Sequence, residues 1–445
     1  MKRRLALLAL GVCVSCGARP LGGGGTTGSA GSTGTAGDTG AAGAAGTTGT
    51  AGTTGSAGTA GSAGTTGSAA GTTGSAGTTG SAGSPGGAGG SGGDAATEYT
   101  LTEWTVPFSD SAPFQIAARN DNVFYLNKDY EQRLGRLDVV TGVFTEWLTP
   151  YVSTSPGDIA VRPSDGAVFM TGPTLGEIGQ FDPVGGTLTR WKLPSSASGP
   201  GPWSLAVDSG AGVFFAMNDI ATAFVGRLDT ARGELRAWTF PGCGLADVAV
   251  APDGTVVLSC WSGDIPYQIA RLDPTTGIIT RWPMTAQPFY PVAVSPSGDI
   301  FFEGVSSGFR GIVRLVPSTG LLTEWTTSGL PNDSVAFLSD RLYFAFDGTR
   351  NPLYALDPSV PGRDRMISAS TSAAVAPRTF QLSPSRSPLA ARQALAVPER
   401  SRIQSQTSGA FESWSAVRAP RMMAAIPGAL YVTEDIIHAI GRLTR

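Results

Sequence analysis

Residues 247–282 read DVAVAPDGTVVLSCWSGDIPYQIARLDPTTGIITRW. Two apolar runs, DVAV and TVVL, flank Pro-Asp-Gly. Two more, YQIARL and GIITRW, flank Asp-Pro-Thr-Thr-Gly. Proline pre-sets φ and glycine supplies a positive φ, so both flanked segments are hairpin turns. Four short antiparallel strands in succession form one unit.

The unit recurs along the chain. Its closing phrase is LTEW at Trp104, FTEW at Trp147, LTRW at Trp191, LRAW at Trp238, ITRW at Trp282, LTEW at Trp325 and FESW at Trp414. A second ruler is the central apolar residue of each first strand: Ile116, Ile159, Leu205, Val248, Val292, Val335, Phe380 and Met423, spaced 43 to 46 residues apart. Four-stranded units at this period are the signature of a β-propeller. One tryptophan is missing between Trp325 and Trp414, an interval of twice the period, and SPSRSPL…FESW aligns with SPSGDIF…LTEW. The expectation is therefore an all-β propeller of eight blades. The alternative is seven, with the Arg/Ser/Pro-rich stretch 360–408 as a disordered excursion. The chain ends on a third strand, IGRL at 440–443, while Tyr99–Trp104 is a fourth strand without a unit. The first strand should complete the last blade and close the ring without free edges.

Upstream of the ring the composition changes. Of 62 glycines, 29 lie between Gly22 and Ala95, mostly at every third position among Thr, Ala and Ser. A Gly-X-Y period is that of collagen, which also needs abundant proline, and here only Pro85 is present. With no bulky side chains to offset ordering entropy, residues 17–96 read as a flexible tether. As a random coil it would hold its ends roughly 45–50 Å apart. Before it, Lys2, Arg3 and Arg4 precede an apolar run from Leu5 to Val12, too short to span a bilayer. Residues 1–16 are read as a secretory signal. Ser15-Cys16 resembles the cleavage junction of bacterial lipoproteins, which implies lipidation at Cys16. By the same resemblance, Gly17 after it implies the outer membrane, so the expected membrane partner is reached through a lipid anchor.

From Ala96 onward the net charge is −5, which disfavours nucleic acid as a partner. A single histidine, His438, excludes a multi-histidine metal site. Cys243 and Cys260 are the only cysteines after the signal. A hairpin centred on Asp253 places them within two residues of facing each other, and in an exported protein that invites a disulfide.

GALYVTEDIIHAIGRL at 428–443, APDG at 251–254 and the D-P-x-x-G turns resemble the repeats of the streptogramin lyase (virginiamycin B lyase) family over residues 97–445. The resemblance implies the propeller fold and, in the family's enzymes, elimination with magnesium, histidine and glutamate at the central mouth. The positions matching the family histidines, two before each central apolar residue, are Phe114, Gly157, Trp203, Ala246, Tyr290, Asp333, Arg378 and Arg421. None is histidine. Glu434 alone matches a family glutamate, so no lyase activity and no catalytic residue is expected.

Starts of first strands and ends of second strands share one face of a propeller. A candidate ligand mouth therefore gathers Phe114, Asn127, Trp203, Tyr290, Asp333, Arg378, Arg421 and Glu434, where aromatic rings give area and guanidinium forks give orientation. No cofactor is expected. A Mg or Ca site from Glu434, Asn127 and Asp333 is the thin alternative. The reading is a monomeric, tethered module for a small molecule, glycan or protein. The alternative is a metal-dependent enzyme of the lyase or lactonase kind.

Overall fold

In a computed structural model the described residues are 97–445, apart from 128–130, 153–156, 195–200, 209, 211, 218–222, 241–242, 262–266, 307, 328–330, 347–351 and 435–436. The signal, Cys16 and the tether lie outside the described residues. Every regular element described is a β-strand, and the strands form seven five-stranded sheets. These are the blades of a seven-bladed propeller, not an eight-bladed one. Blades 1–5 are consecutive in the chain. Blade 1 is typical, with strands Pro113–Arg119, Asn122–Asn127, Glu131–Asp138 and Val143–Val152. Blade 7 combines Pro420–Ile426, Ala429–Glu434 and Ala439–Thr444 with Glu98–Thr105 as its fourth strand. Leu101 pairs with Leu443 and Trp104 with Ile440. The ring closes as the repeat phase requires.

The missing eighth blade is an insertion within blade 6. Its first three strands are Pro331–Leu338, Arg341–Phe346 and Leu353–Leu356, and its fourth, Phe411–Trp414, comes only after residue 410. The intervening chain is neither a blade nor structureless. It runs backwards round the circumference as a belt, adding one outer strand to each blade. Arg363–Met366 joins blade 5, Ser370–Thr371 blade 4, Arg378–Gln381 blade 3, Pro384–Pro388 blade 2, Ala391–Leu395 blade 1 and Glu399–Gln404 blade 7. Gln406–Ser408 then turns back on blade 6.

Local chemistry explains the docking. In the third-to-fourth turns of blades 1–4 the leading aspartate caps the next amides. Asp273 Oδ1 accepts from Thr275 N at 2.8 Å, and Gly277 follows at φ +73°. A side chain at Gly277 would strike the Val375 carbonyl of the belt. The glycine is thus needed twice, for its backbone conformation and for the belt's approach. The belt amides donate to these turns in register. Ile367 N bonds Gly320 O (2.9 Å), Val375 N bonds Gly277 O (2.8 Å), Leu382 N bonds Gly233 O (2.8 Å), Leu389 N bonds Gly186 O (2.9 Å) and Ala396 N bonds Gly142 O (3.0 Å). The same five side chains, with Ile403, pack on successive hydrophobic cores between the blades. This period of seven or eight residues is the signal that distinguishes the belt from a degenerate blade. Charge adds to it: Arg392 reaches Glu146 (2.6 Å) and Asp110 (2.7 Å), and Arg365 reaches Glu324 (3.1 Å).

The cores lie between blades, and the repeated tryptophans are their largest members. Trp147 meets Phe181 of the next blade with ring centroids 4.7 Å apart. Cys243 and Cys260 form a disulfide across the first two strands of blade 4. It closes a loop of 17 residues. Replacing both cysteines by alanine should cost about 3 kcal/mol by loop entropy. Thermal denaturation of the double variant checks this, and an unchanged Tm would contradict it.

Candidate functional site

The first strands of six of the seven blades carry a register shift against the second, such as that between Leu245 and Asp247 and that between Phe289 and Val292. Where residues are skipped, a backbone amide beside them loses its ladder partner and must find another. The partner comes from the preceding blade. Asp158 Oδ2 accepts from Leu205 N at 2.9 Å, Asp247 Oδ2 from Val292 N at 2.8 Å, and Ser334 Oγ from Met423 N at 2.8 Å. Ser204 Oγ donates to Asp247 and accepts from Val248 N at 3.2 Å. These residues form a girdle stapling neighbouring blades around the channel. Burial pushes the Asp158 carboxyl up to about 7, and the nearby Asp247 charge adds to it, while amide hydrogen bonds oppose the rise. Asp247→Ala leaves the Val292 amide without its acceptor and breaks the Ser204 contact, at an expected cost of about 2–3 kcal/mol. Urea denaturation measures it, and a loss below 0.5 kcal/mol (about the scatter of neutral surface changes) would count against the girdle.

Above the girdle, the mouth is best defined at the seam between blades 7 and 1. The Arg421 guanidinium lies over the Phe114 ring, 4.8 Å from its centroid. Thr433 Oγ1 donates to Phe114 O at 3.1 Å across the same seam. Next to Thr433, Glu434 is fully buried. Its Oε2 accepts from Arg418 N at 2.8 Å, and its Oε1 lies over Gly441, where a Cβ would come within 2.6 Å of it. The glycine of the I-G-R-L phrase therefore makes room for the carboxylate. In blade 1 the equivalent Gly135 makes room for the Tyr125 ring, whose hydroxyl donates to Glu146 at 2.8 Å.

Across Gly441, Glu434 meets Glu103 of the N-terminal strand. Burial pushes Glu434 up to about 8, with the Glu103 charge adding to the rise. Glu103 is raised too, mainly by burial, and the Arg418 charge opposes that rise. Each carboxyl thus favours its protonated form, and the two titrate as a coupled pair. Unfolded, Glu434 returns to about 4.5. Between these values the folded chain holds a proton that the unfolded chain has lost, so stability falls as pH rises and levels off above about 8. Tm measured from pH 6 to 9 should therefore fall in the native protein, and less steeply in Glu434→Gln. Parallel profiles would contradict the raised Glu434 carboxyl.

The expected mouth residues are only partly assembled. Phe114 and Arg421 meet, and Glu434 lies beside them but turns along its own blade towards Glu103. Asn127 is buried, its Oδ1 held by Arg133 N at 2.7 Å. Trp203 is half-buried on the first strand of blade 3. The side chains of Tyr290 and Asp333 lie outside the described residues. Arg378 is not at the mouth. It belongs to the belt, paired with Ala237 on the outer edge of blade 3, and stacks on Phe380 (5.3 Å). Counting an eighth blade placed it wrongly. His438 is exposed just before the third strand of blade 7, at φ +47°. Glu103, Arg418 and the girdle aspartates were missed. Their signal was present in the recurring glutamate before tryptophan and in the polar residue preceding Ile159, Leu205 and Val248.

Of the three candidate ligands for a divalent cation, Asp333 has its side chain outside the described residues. Among the described residues no group of three or more His, Cys, Asp or Glu side chains is placed to hold a metal. Glu434 is already committed to Arg418 N and Glu103, and Asn127 to Arg133 N.

The fold is that of a seven-bladed β-propeller. No protein-family model and no curated protein sequence matches the chain. Among solved structures, virginiamycin B lyase from Staphylococcus aureus is similar, with TM-score 0.55 and 15% identity, covering 78% of this chain and 99% of that one. The Cps50 (Swd1) propeller domain of Myceliophteria thermophila matches at TM-score 0.47 and 9% identity, over 77% and 98% of the two chains. An auxiliary nutrient binding protein from Bacteroides ovatus matches at 0.42 and 11%, over 78% and 77%. At these identities the likeness is one of fold.

Proposed function

We propose that the protein is a tethered binding module of the cell envelope. In this reading the propeller binds a small molecule, glycan or protein group at the blade 7–blade 1 seam. The observation that carries it is the Arg421–Phe114 stack beside the buried Glu434–Glu103 pair. It offers a flat cationic surface with a fixed proton donor and acceptor behind it. An anionic or planar group would lie against Arg421 and Phe114, with Glu434 as a positioning residue. Glu98–Thr105 enters its blade at the face carrying the third-to-fourth turns and leaves at the mouth face, where Val106 N bonds His438 O (2.9 Å).

The test is a thermal-shift screen of small molecules and glycans against the native protein, Phe114→Ala and Arg421→Ala. A ligand that raises Tm only in the native protein supports the seam. Hits unaffected by both variants would remove it. Membrane fractionation of Cys16→Ala tests the anchor separately, and a variant that stays in the membrane fraction would exclude it.

A second reading, an enzyme of the lyase or lactonase kind, is favoured by one feature. A carboxyl raised to about 8 can exchange a proton near neutrality. Any activity found should then disappear in Glu434→Gln.

A further inference from the structure

Two grooves open between neighbouring blades on the outer side of the ring, each walled by the belt. One, of about 530 Å³, lies between blades 1 and 2, and the other, of about 490 Å³, between blades 2 and 3. The same cross-strand register builds both. In blade 1 the row runs Phe124, Arg136, Thr145 and Gln393. In blade 2 it runs Phe169, Gln180, Thr189 and Arg386. Paired residues share a face of the sheet, so each groove receives one guanidinium, one threonine hydroxyl and one carboxamide. Arginine and glutamine have exchanged places between third strand and belt. The opposite wall is the turn of the next blade, Pro183–Gly186 in the first groove and Thr230–Ala231 in the second.

The charge of these arginines sets them apart. In blades 3, 4 and 5 the arginine of this row is neutralised by an aspartate of the first turn. Arg227 meets Asp208 at 2.9 Å, Arg314 meets Asp299 at 2.7 Å, and Arg271 meets Asp253. Among the described residues, neither Arg136 nor Arg386 makes such an ion pair, and Asp138 reaches Arg136 only through the longer-range attraction of their charges. The acid of the second groove, Asp165, is occupied by Arg162, which binds it through Nε (2.9 Å) and Nη2 (2.7 Å) and lies over Phe169. Each groove thus keeps one guanidinium without a direct carboxylate partner, beside hydroxyl and amide groups. The first adds apolar walls from Trp147, Pro183 and Leu389. The volumes exceed what a bare oxyanion fills and suit one or two sugar rings.

We propose that these belt-walled grooves are two equivalent binding sites for an acidic sugar, its carboxylate on the guanidinium and its hydroxyls on the Thr and Gln side chains. Arg136 serves the first groove and Arg386 the second. The carboxylate matches the planar fork, and the hydroxyl-rich body matches the neutral polar row.

Isothermal titration of the full chain with D-galacturonate, D-galactose and inorganic phosphate tests this. The native protein should bind two galacturonates, with galactose and phosphate each at least tenfold weaker. Arg386→Ala or Arg136→Gln should each remove one site, and the double variant both. Arg386 sits on the exposed belt, so its replacement leaves the fold intact and the titration readable even where Arg136→Gln destabilises. Arg227→Ala, whose arginine is already paired, should leave the titration unchanged. Phosphate binding as tight as galacturonate would reduce the sites to generic anion contacts and overturn the proposal. So would galacturonate binding unaltered in the double variant, or none in the native protein. Arg421→Ala separates these grooves from the mouth, since it should not change the titration.

Discussion

Replacing Trp104 by alanine should destabilise the ring by about 3–5 kcal/mol, the usual cost of emptying a large aromatic site. Trp104 is 2% exposed and packs with Ile116 and Val123 of blade 1, on the far side of its strand from Tyr99 and Leu101. Tyr99 in turn stands edge-on to Trp414, centroids 5.0 Å apart. The strand Glu98–Thr105 therefore belongs to two inter-blade cores at once, joining blade 7 to blade 1 on one face and to blade 6 on the other. Unlike the fourth strands of blades 1–5, it is not joined to the third strand of its blade by a hairpin. Trp238→Ala in blade 3 removes a similar side chain from a strand that its turn keeps in place. Urea denaturation should show both losses. Proteolysis within 97–105 should accelerate only in Trp104→Ala, because that strand can detach. A loss below 1 kcal/mol (well under the core-aromatic range) would show that closure does not depend on this side chain.

The belt should matter comparably, although no residue in it is as large. Ile367, Val375, Leu382 and Leu389 are half-buried, one on each of four inter-blade cores. At roughly 1–1.5 kcal/mol for each partly buried aliphatic side chain, changing all four to serine should cost about 4–6 kcal/mol. The sites lie on separate blades, so their effects should add. Trypsin gives an independent readout, because Arg378 and Arg386 lie on the belt itself. Rapid cleavage there in the quadruple variant, with the blades still folded by circular dichroism, would show the belt lifting first. Unchanged stability and unchanged cleavage would mean that the belt only decorates the ring.

Much of this was legible before any coordinates. Hairpin turns, the tryptophan register and the phase of the two chain ends led directly to four-stranded blades and closure by residues 98–105. Those signals are local: a turn glycine or a strand alternation reports on neighbours a few residues away. The Cys243–Cys260 pairing was legible for the same reason, since one hairpin register determines it. Blade number was not. An insertion close to one period in length mimics a repeat, and SPSRSPL resembles a blade strand when only spacing is considered. The distinguishing apolar residues, Ile367, Val375, Leu382, Leu389, Ala396 and Ile403, recur at seven or eight residues. That period has meaning only once it is known that each step crosses to another blade.

The candidate site divides along the same line. Glu434 and Phe114 could be placed at one face of the ring from strand polarity alone. That Glu434 turns over Gly441 towards Glu103, 331 positions away in the chain, could not. Nor could the lack of a direct ion pair at Arg136 and Arg386 among the described residues. Alone, the sequence determined the strands, the turns and the point of closure, because backbone geometry and side-chain alternation are short-range. Only the tertiary structure decided that residues 361–408 encircle seven blades instead of forming an eighth. It also decided which charges meet, because burial and ion pairing depend on residues that the chain brings together from opposite ends.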